Sequence, residues 1–312
     1  MNKYLQKIVD SRLVQAPVEL SKQIVIPGFD GLPLYDVLEF FITGLLKNSL
    51  STRAASLAFR FFLALFPLII FLFSLIPYIP IANFHEELLD LIRQVLPDNA
   101  FNLAQETITD LMSNKSKSLL SFGFIFAFYL ASNGVKSMII AFNESYHAIK
   151  KGNFIKNYLI SFLILIILIC LMIVAISLII FSDNLTGYII SYESLNNSIV
   201  LFIMKLVKFI LLLLLFFLGI SSIYYFGNIK GGKFRFISAG SSLATLLSIL
   251  ITMGFAYYVN NFSTYNKVYG SIGTLIVVML WLYFNSLVLL IGYELNASIS
   301  HARARKTKLE YL

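Results

Sequence analysis

Residues 157–182 read NYLISFLILIILICLMIVAISLIIFS, and no charged side chain interrupts them. About 20 apolar residues in a helix are enough to cross the ~30 Å hydrocarbon core of a bilayer. Similar apolar stretches lie before and after residues 157–182 in the chain, at 61–81, 119–141, 203–226, 236–259 and 272–299. The sequence therefore predicts an all-α membrane protein with six transmembrane helices.

The composition of the 312-residue chain agrees with this class. Hydrophobic residues make up 58% of the chain, charged residues make up only 13%, and the mean hydropathy is +0.82. A soluble monomer needs more polar surface than this. The single cysteine, Cys170, lies within the third predicted span and has no second cysteine in the chain with which to form a disulfide.

Positively charged residues are distributed unequally between alternate loops. Most precede the first span, lie between the second and third or the fourth and fifth spans, or follow the sixth. Cytoplasmic loops of membrane proteins are enriched in Lys and Arg, so we expect both termini to be cytoplasmic. The net charge of +8 then favours membrane lipids with anionic headgroups as partners, and not nucleic acid. These residues are Lys3, Lys7, Arg12, Lys22, Lys47, Arg53, Lys150, Lys151, Lys156, Lys230, Lys233, Arg235, Arg303, Arg305, Lys306 and Lys308.

Amphipathic helices are predicted in two regions outside the spans. One precedes the first span and is expected to lie in the cytoplasmic interface. Two more helical patterns, separated by Pro97, fall in the segment 82–118 and predict an extracytoplasmic cap. The expected organisation is a cytoplasmic segment at 1–52, a membrane domain at 53–300 and a basic cytoplasmic tail at 301–312. The first amphipathic helix has one apolar stripe, formed by Leu34, Val37, Leu38, Phe41 and Leu45.

Motifs of enzyme chemistry receive little support. Gly227, Gly232 and Lys233 match the spacing of a phosphate-binding loop, but Phe234 replaces the Ser or Thr that would contact Mg²⁺, and the segment joins two membrane helices. The histidines lie in different loops or in the tail, so no two of them can share a metal. We therefore expect no catalytic, cofactor-binding or metal-binding residues, and a protein that is not an enzyme. The histidines are His85, His147 and His301.

Polar residues inside the spans are the main candidates for function, because ionisable groups in hydrocarbon usually face a bundle interior or a water-filled cavity. In the second span, Asn133, Gly134 and Lys136 either form a local break that meets a polar ligand, or Lys136 extends to the cytoplasmic interface. In the fourth span, Lys205 and Lys208 share a helix face. They either line an outward-facing cationic cavity or lie in the headgroup region.

Charged residues also occur at the start of the first span and within the last span. Arg53 and Arg60 are seven residues apart and lie on one helix face, while Glu294 and Asn296 stand towards the cytoplasmic end of the sixth span. Glu294 is the only acidic residue within the predicted spans. We predict an ion pair between Arg53 and Glu294 that holds the first and last helices together as a structural clamp, with a gating role as the alternative.

Ordered motifs along the chain resemble those of a known family. The sequence RAASLA at 53–58 leads to Phe66-Pro67, and NNFSTYN at 260–266 leads to YGSIG at 269–273. Trp281-Leu282-Tyr283 and GYELNA at 292–297 complete the pattern. With these motifs, residues 45–300 resemble the YihY/BrkB family of bacterial inner-membrane proteins.

The resemblance implies a six-span protein of the bacterial inner membrane. Some members of the family are linked to serum resistance and some to envelope lipid export, and an older ribonuclease BN label is generally regarded as misapplied. The family commonly shows a Ser-x-Gly or an Arg-bearing pattern in the second span. This chain has Ser132-Asn133-Gly134 followed by Lys136 there.

Three classes of function remain after these observations. A transporter or flippase of envelope lipids or other anionic amphiphiles requires a cavity reached by the cations within the spans. A non-catalytic membrane scaffold requires those cations to be paired or to extend to the interface, and an intramembrane enzyme requires convergent acids and bases. We favour the transporter because Arg53, Lys136, Lys205 and Lys208 outnumber the one acid within the spans and cannot all pair with it.

Overall fold

The computed structural model of the chain describes residues 19, 21–26, 28–47, 49–75, 105, 117–143, 154–191, 198–228, 235–261 and 264–310. The regular structure of these residues is helical. They contain no β-strand, and an isolated antiparallel bridge joins Val25 to Pro33. The described helices are α1 (Leu34–Lys47), α2 (Leu50–Leu75), α3 (Lys117–Asn143), α4 (Phe154–Ser191), α5 (Ser198–Gly227), α6 (Ala239–Asn261) and α7 (Thr264–Glu310).

Within the described residues, five helices are long and apolar enough to cross a membrane. They confirm the second to sixth predicted spans, and most ends of these spans agree to within a few residues. The first predicted span, 61–81, runs past the described end of α2 at Leu75 and stays a prediction. The helices predicted within 82–118 fall almost entirely outside the described residues. The five candidate spans are Phe124–Asn143, Ile155–Ser182, Ile199–Gly227, Ala239–Tyr258 and Leu275–Thr307.

The surfaces of α4 and α5 are largely apolar and exposed. Only 11% of an 18-residue apolar stretch of α4 is buried inside the protein, and none of the corresponding stretch of α5 is buried. Large apolar side chains such as Phe162, Ile173 and Phe209 are exposed along both helices. Apolar surface of this extent is stable against lipid and not against water. The two helices pack on each other, and much of their apolar surface stays exposed.

Contacts divide the chain into two compact units. In the unit formed by residues 59–134, Gly134 lies where a Cβ atom would be 3.3 Å from the Phe61 ring, so the glycine allows these helix segments to approach closely. The larger unit contains residues 1–58 and 135–312. Within it, α6 and α1 pack along α7, and α5 packs against both α4 and α6.

The last helix is longer than the predicted span. At about 1.5 Å per residue, the 47 residues of α7 extend ~70 Å, whereas a bilayer with its headgroups is about 40–45 Å thick. The helix therefore continues beyond the membrane layer. The predicted boundary between membrane domain and tail at residue 300 falls inside this continuous helix.

The predicted amphipathic helix before the first span is present as α1. Its central apolar residue, Val37, is fully buried, and it joins Leu295, Ile299 and Ala302 of α7 in one core cluster. Leu38, which was predicted to share this stripe, is instead 37% exposed. The helix packs against the last helix of the chain, a long-range contact that local periodicity does not reveal.

A turn precedes α1 and forms what we call the N-terminal strap, residues 21–26 and 28–33. The Leu34 amide donates to the Ile24 carbonyl at 2.9 Å, which closes the turn. Gly28 (φ +95°), Asp30 (φ +57°) and Gly31 (φ +74°) all adopt the left-handed region. Glycine and aspartate tolerate this conformation better than most residues. Phe29 and Leu32 of the strap enter the core formed by α1 and α7.

Candidate functional site in the buried polar cluster of the last helix

Glu294 of α7 is fully buried. It packs against α1 at Gly44, where an added Cβ atom would lie 2.9 Å from the Cγ and Cδ atoms of Glu294. Only glycine therefore fits at residue 44 as long as the Glu294 carboxylate stays in its present place. The acidic side chain faces the protein and not lipid, as expected for a charged group within a span.

Arg53 of α2 lies in the same neighbourhood. Its guanidinium donates a hydrogen bond to the Ala141 carbonyl of α3. The Tyr293 phenol is within electrostatic range of both the Arg53 guanidinium and the Glu294 carboxylate. The structure thus brings the two residues of the predicted ion pair around one tyrosine, and the direct pairing of their charged groups stays a prediction.

Three aromatic rings pack beside these charges. Phe142 of α3 stacks on Tyr293 with 4.3 Å between ring centroids, and both rings meet Tyr224 of α5 edge to face. The Tyr224 hydroxyl donates to the Leu289 carbonyl at 2.8 Å, which satisfies its hydroxyl group in the apolar interior. The aromatic cluster therefore fixes α3, α5 and α7 together next to Arg53 and Glu294.

Asn296 satisfies the buried start of α6. Its Oδ1 accepts from the Gly240 amide at 2.9 Å, and its Nδ2 donates to Ser238 Oγ at 2.9 Å. Ser238 also accepts from the Ser241 amide, and Ser241 Oγ accepts from the Ser238 amide, which forms a reciprocal cap. The first amides of a helix lack partners within it, so Asn296 acts as a structural capping group.

Glycines allow α6 and α7 to approach closely. A Cβ atom added at Gly292 would lie 2.6 Å from the Gly240 carbonyl oxygen, 2.5 Å from the Tyr224 hydroxyl and 2.8 Å from Ala244 Cβ. Membrane helices often pack through small residues because backbone proximity maximises their dispersion contacts. This contact holds Tyr293, Glu294 and Asn296 in their positions.

Ionic contacts connect the strap to α7 and to the segment just before α6. Asp30 Oδ1 lies 2.9 Å from Nη2 of Arg235, just before α6, and Oδ2 pairs with Arg303 of α7. Sequence reasoning missed these contacts because both arginines were interpreted only as topology signals. The turn-forming pair Gly28 and Gly31 around Asp30 was the available signal, since it indicates a turn at the aspartate.

The other predicted site residues occupy separate environments. Lys136 Nζ lies 3.7 Å from the centroid of the Tyr158 ring, a cation–π contact with the start of α4. This contact agrees with the interfacial alternative for Lys136. Lys205 and Arg60 are exposed, Lys208 and Asn133 are half-buried, and Gly134 is a packing position.

An apolar groove lies between the start of α2 and the first half of α7. Its volume is about 330 Å³, and Ala55, Ala58, Met279 and Tyr283 are among the residues that line it. At one end, the Ser51 and Tyr283 hydroxyl groups are hydrogen-bonded at 2.9 Å. On the α7 side, the groove is lined by residues between 275 and 283, which belong to the candidate span of this helix.

Acidic side chains in the part of the chain that the structure describes do not gather into a metal centre. No group of three or more His, Cys, Asp or Glu side chains is placed there to hold a metal ion. Three of these acidic residues make structural contacts instead. Asp30 pairs with two arginines, Glu39 lies 3.7 Å from Arg305, and Glu294 is enclosed by α1.

The five apolar helices and their lipid-facing surfaces define a membrane protein with several spans. A family model described as virulence factor BrkB matches residues 41–310. The chain therefore belongs to the BrkB family, which confirms the resemblance inferred from its motifs.

Relatives of similar length support this assignment. A protein of Bacillus subtilis (strain 168) that is named as ribonuclease-like, YfkH, is 30% identical over 254 residues, covering 81% of this chain and 91% of its own. UPF0761 membrane proteins of Haemophilus influenzae (strain 86-028NP) and Aggregatibacter aphrophilus (strain NJ8700) are each 25% identical. These matches cover 81% and 83% of this chain, and 91% and 90% of the relatives. No solved structure matches the chain.

Proposed function

We propose that the protein is a transporter or flippase of envelope lipids or other anionic amphiphiles in the bacterial inner membrane, and that it is not an enzyme. The observation that carries this proposal is the apolar groove between α2 and α7. Its volume of about 330 Å³ lies within the ~300–1,000 Å³ range of ligand pockets. Small alanines on the α2 side leave room for a chain-like apolar ligand.

The proposal includes six membrane crossings with both termini in the cytoplasm. The distribution of Lys and Arg between alternate loops supports this orientation. The two ends of the described chain also meet, because α1 and the strap pack against the last turns of α7. This contact supports a location of both ends on the same side of the membrane.

The groove suits the acyl part of an amphiphile because its lining is almost entirely apolar. The hydroxyl groups of Ser51 and Tyr283 at one end offer a polar contact. Lys205 is exposed on α5, and the 18-residue apolar stretch of this helix has no part buried inside the protein. The positive charge of Lys205 favours anionic headgroups nearby. These features together favour an anionic amphiphile over a small polar solute.

The ribonuclease-like name of one relative suggests another activity for the family. We extend to this chain the membrane description of the UPF0761 relatives instead. The support is that Asp30, Glu39 and Glu294 make contacts that stabilise the fold. A nuclease would need acidic side chains directed at a substrate phosphate or at its metal ions.

Leaflet exchange in proteoliposomes tests the proposed transport. We expect the wild-type protein to accelerate the exchange of fluorescent phosphatidylglycerol by about tenfold or more over protein-free vesicles, a barrier change of about 1.4 kcal/mol. Ala58→Phe fills the groove and should return exchange to the protein-free rate. The matched control is Leu250→Phe, at a position that is 55% exposed on α6, and it should retain wild-type exchange.

Equal exchange in wild-type and protein-free vesicles would contradict transport and favour a membrane scaffold. The close contact of Gly240 with Gly292 favours this second function, since it indicates a rigid bundle. Acceleration that survives Ala58→Phe in a folded protein would show that lipids move by another path. A folded state is verified by the fluorescence of Trp281, the only tryptophan in the chain.

A further inference from the structure

Arg235 and Arg303 converge on the Asp30 carboxylate, although they are far apart in the chain. The Asp30 side chain is only 8% exposed, whereas the arginine side chains are 64% and 39% exposed. One carboxylate is thus enclosed by two guanidinium groups that still present donors to solvent. These three residues carry a net positive charge, because two fixed cations share one anion.

The surroundings of this arginine pair are polar and contain free space. A cavity of about 20 Å³, enough for about one water molecule, is lined by Asp30, Arg235, Ser238, Asn296 and Ser300 among others. Arginine forks bind carboxylate and phosphate oxygens with the same planar, bidentate geometry. Here each arginine contacts Asp30 through one Nη2 atom, Arg235 at Oδ1 and Arg303 at Oδ2. Two guanidinium groups that together hold both oxygens of a buried carboxylate can hold phosphate oxygens when the carboxylate moves aside.

The site also lies at a membrane surface. About 20 residues suffice to cross the hydrocarbon core, so the last turns of the 33-residue candidate span of α7, which include Arg303, extend beyond it. Arg235 directly precedes α6 in the chain. Under the topology proposed above, this is the cytoplasmic surface, where anionic headgroups are concentrated.

We propose that Arg235 and Arg303 form a binding site for a phosphate-bearing group at this membrane surface, and that Asp30 of the strap occupies the site in the present conformation. Asp30 lies at φ +57°, between two glycines that also have positive φ. The strap can therefore withdraw the carboxylate by a local change of the turn. The ligand is either the headgroup of an anionic lipid or a soluble phosphate.

Binding by the full-length protein in a neutral detergent tests this site. The probes are short-chain phosphatidic acid, short-chain diacylglycerol, which lacks the phosphate, and inorganic phosphate. We expect phosphatidic acid to bind, Asp30→Asn to strengthen binding, and Arg235→Gln or Arg303→Gln to weaken it by about tenfold or more. Arg303→Lys keeps the charge but loses the fork, and it should also weaken binding.

The matched control is Arg305→Gln. Arg305 is two residues from Arg303, is 60% exposed and lies 3.7 Å from Glu39, so its loss changes the net charge equally without touching Asp30. Phosphatidic acid binding without phosphate binding identifies a lipid headgroup as the ligand. Phosphate binding with the same arginine dependence identifies a soluble source.

Three results would overturn the site. They are equal binding of diacylglycerol, an equal loss of affinity in Arg305→Gln, and no gain of affinity in a folded Asp30→Asn protein. Circular dichroism checks the helix content of each variant, and the charge-preserving Arg303→Lys variant provides a second test if Asp30→Asn does not fold. The assay measures binding and not leaflet exchange, so it can fail while the proposed transport holds, and the reverse.

Discussion

We expect Gly292→Ala to destabilise the protein more than the addition of one methyl group at almost any other position. The new Cβ atom would meet the Gly240 backbone, the Tyr224 hydroxyl and Ala244 at separations of 2.5–2.8 Å. A backbone cannot move aside as a flexible side chain does, so α6 and α7 must separate. Overpacking of a core costs about 1–3 kcal/mol, and disturbance of the Tyr224 hydrogen bond adds ~1 kcal/mol.

The free energy of unfolding in detergent micelles, followed by Trp281 fluorescence, measures this effect. Gly254→Ala on α6 is the matched control, because no atom lies within 4 Å of its added Cβ. Alanine favours a helix over glycine by about 1 kcal/mol, so the control should be neutral or slightly stabilising. Similar stabilities for the two variants would show that α6 and α7 are not in close contact at Gly292.

Replacing Glu294 or Arg53 is expected to give the second large loss of stability. Glu294→Gln and Arg53→Gln each remove one charge from the buried cluster, while the surrounding groups remain in place. Loss of one partner of a buried ion pair costs about 3–5 kcal/mol, because the remaining charge stays uncompensated. If the predicted pair forms, the double variant should lose clearly less stability than the sum of the two single losses.

Arg60→Gln provides the control for this cycle. Arg60 lies seven residues after Arg53 on the same helix but is exposed, so its replacement should change stability by less than about 0.5 kcal/mol. Strictly additive losses for Arg53 and Glu294 would contradict the pairing. The cluster would then be held by the Ala141 carbonyl and the aromatic rings, with no direct interaction between the two charges.

The sequence was sufficient to predict the described helices that are long and apolar enough to cross a membrane, because the length of an apolar stretch is a local property. The second to sixth spans were found in this way, as was the amphipathic helix at Leu34–Lys47. Burial of Glu294 was also expected, since a charged residue in a span seldom faces lipid. The start of α2 at Leu50, ahead of the predicted span at 61, was missed because Arg53 and Arg60 interrupt its apolar pattern.

The contacts of the polar residues could not be predicted from local patterns. Asn296 was identified as a polar residue within a span, but its partners are 56 and 58 positions earlier in the chain. Only the crossing of α6 and α7 brings them together. Asp30 likewise meets Arg235 and Arg303 through packing of the strap, and a charge count alone assigns those arginines to membrane orientation.

The groove and the phosphate site both depend on six crossings with both chain ends in the cytoplasm. Labelling of single cysteines in a Cys170→Ala protein, with a reagent that cannot cross the membrane, tests this arrangement most directly. Cysteines in place of Lys3 and Tyr311 should react only after the inner membrane is opened, whereas a cysteine in place of Asn114 should react in intact cells. Reaction of either terminal cysteine in intact cells would contradict the proposed topology and the inner-leaflet position of the arginine pair.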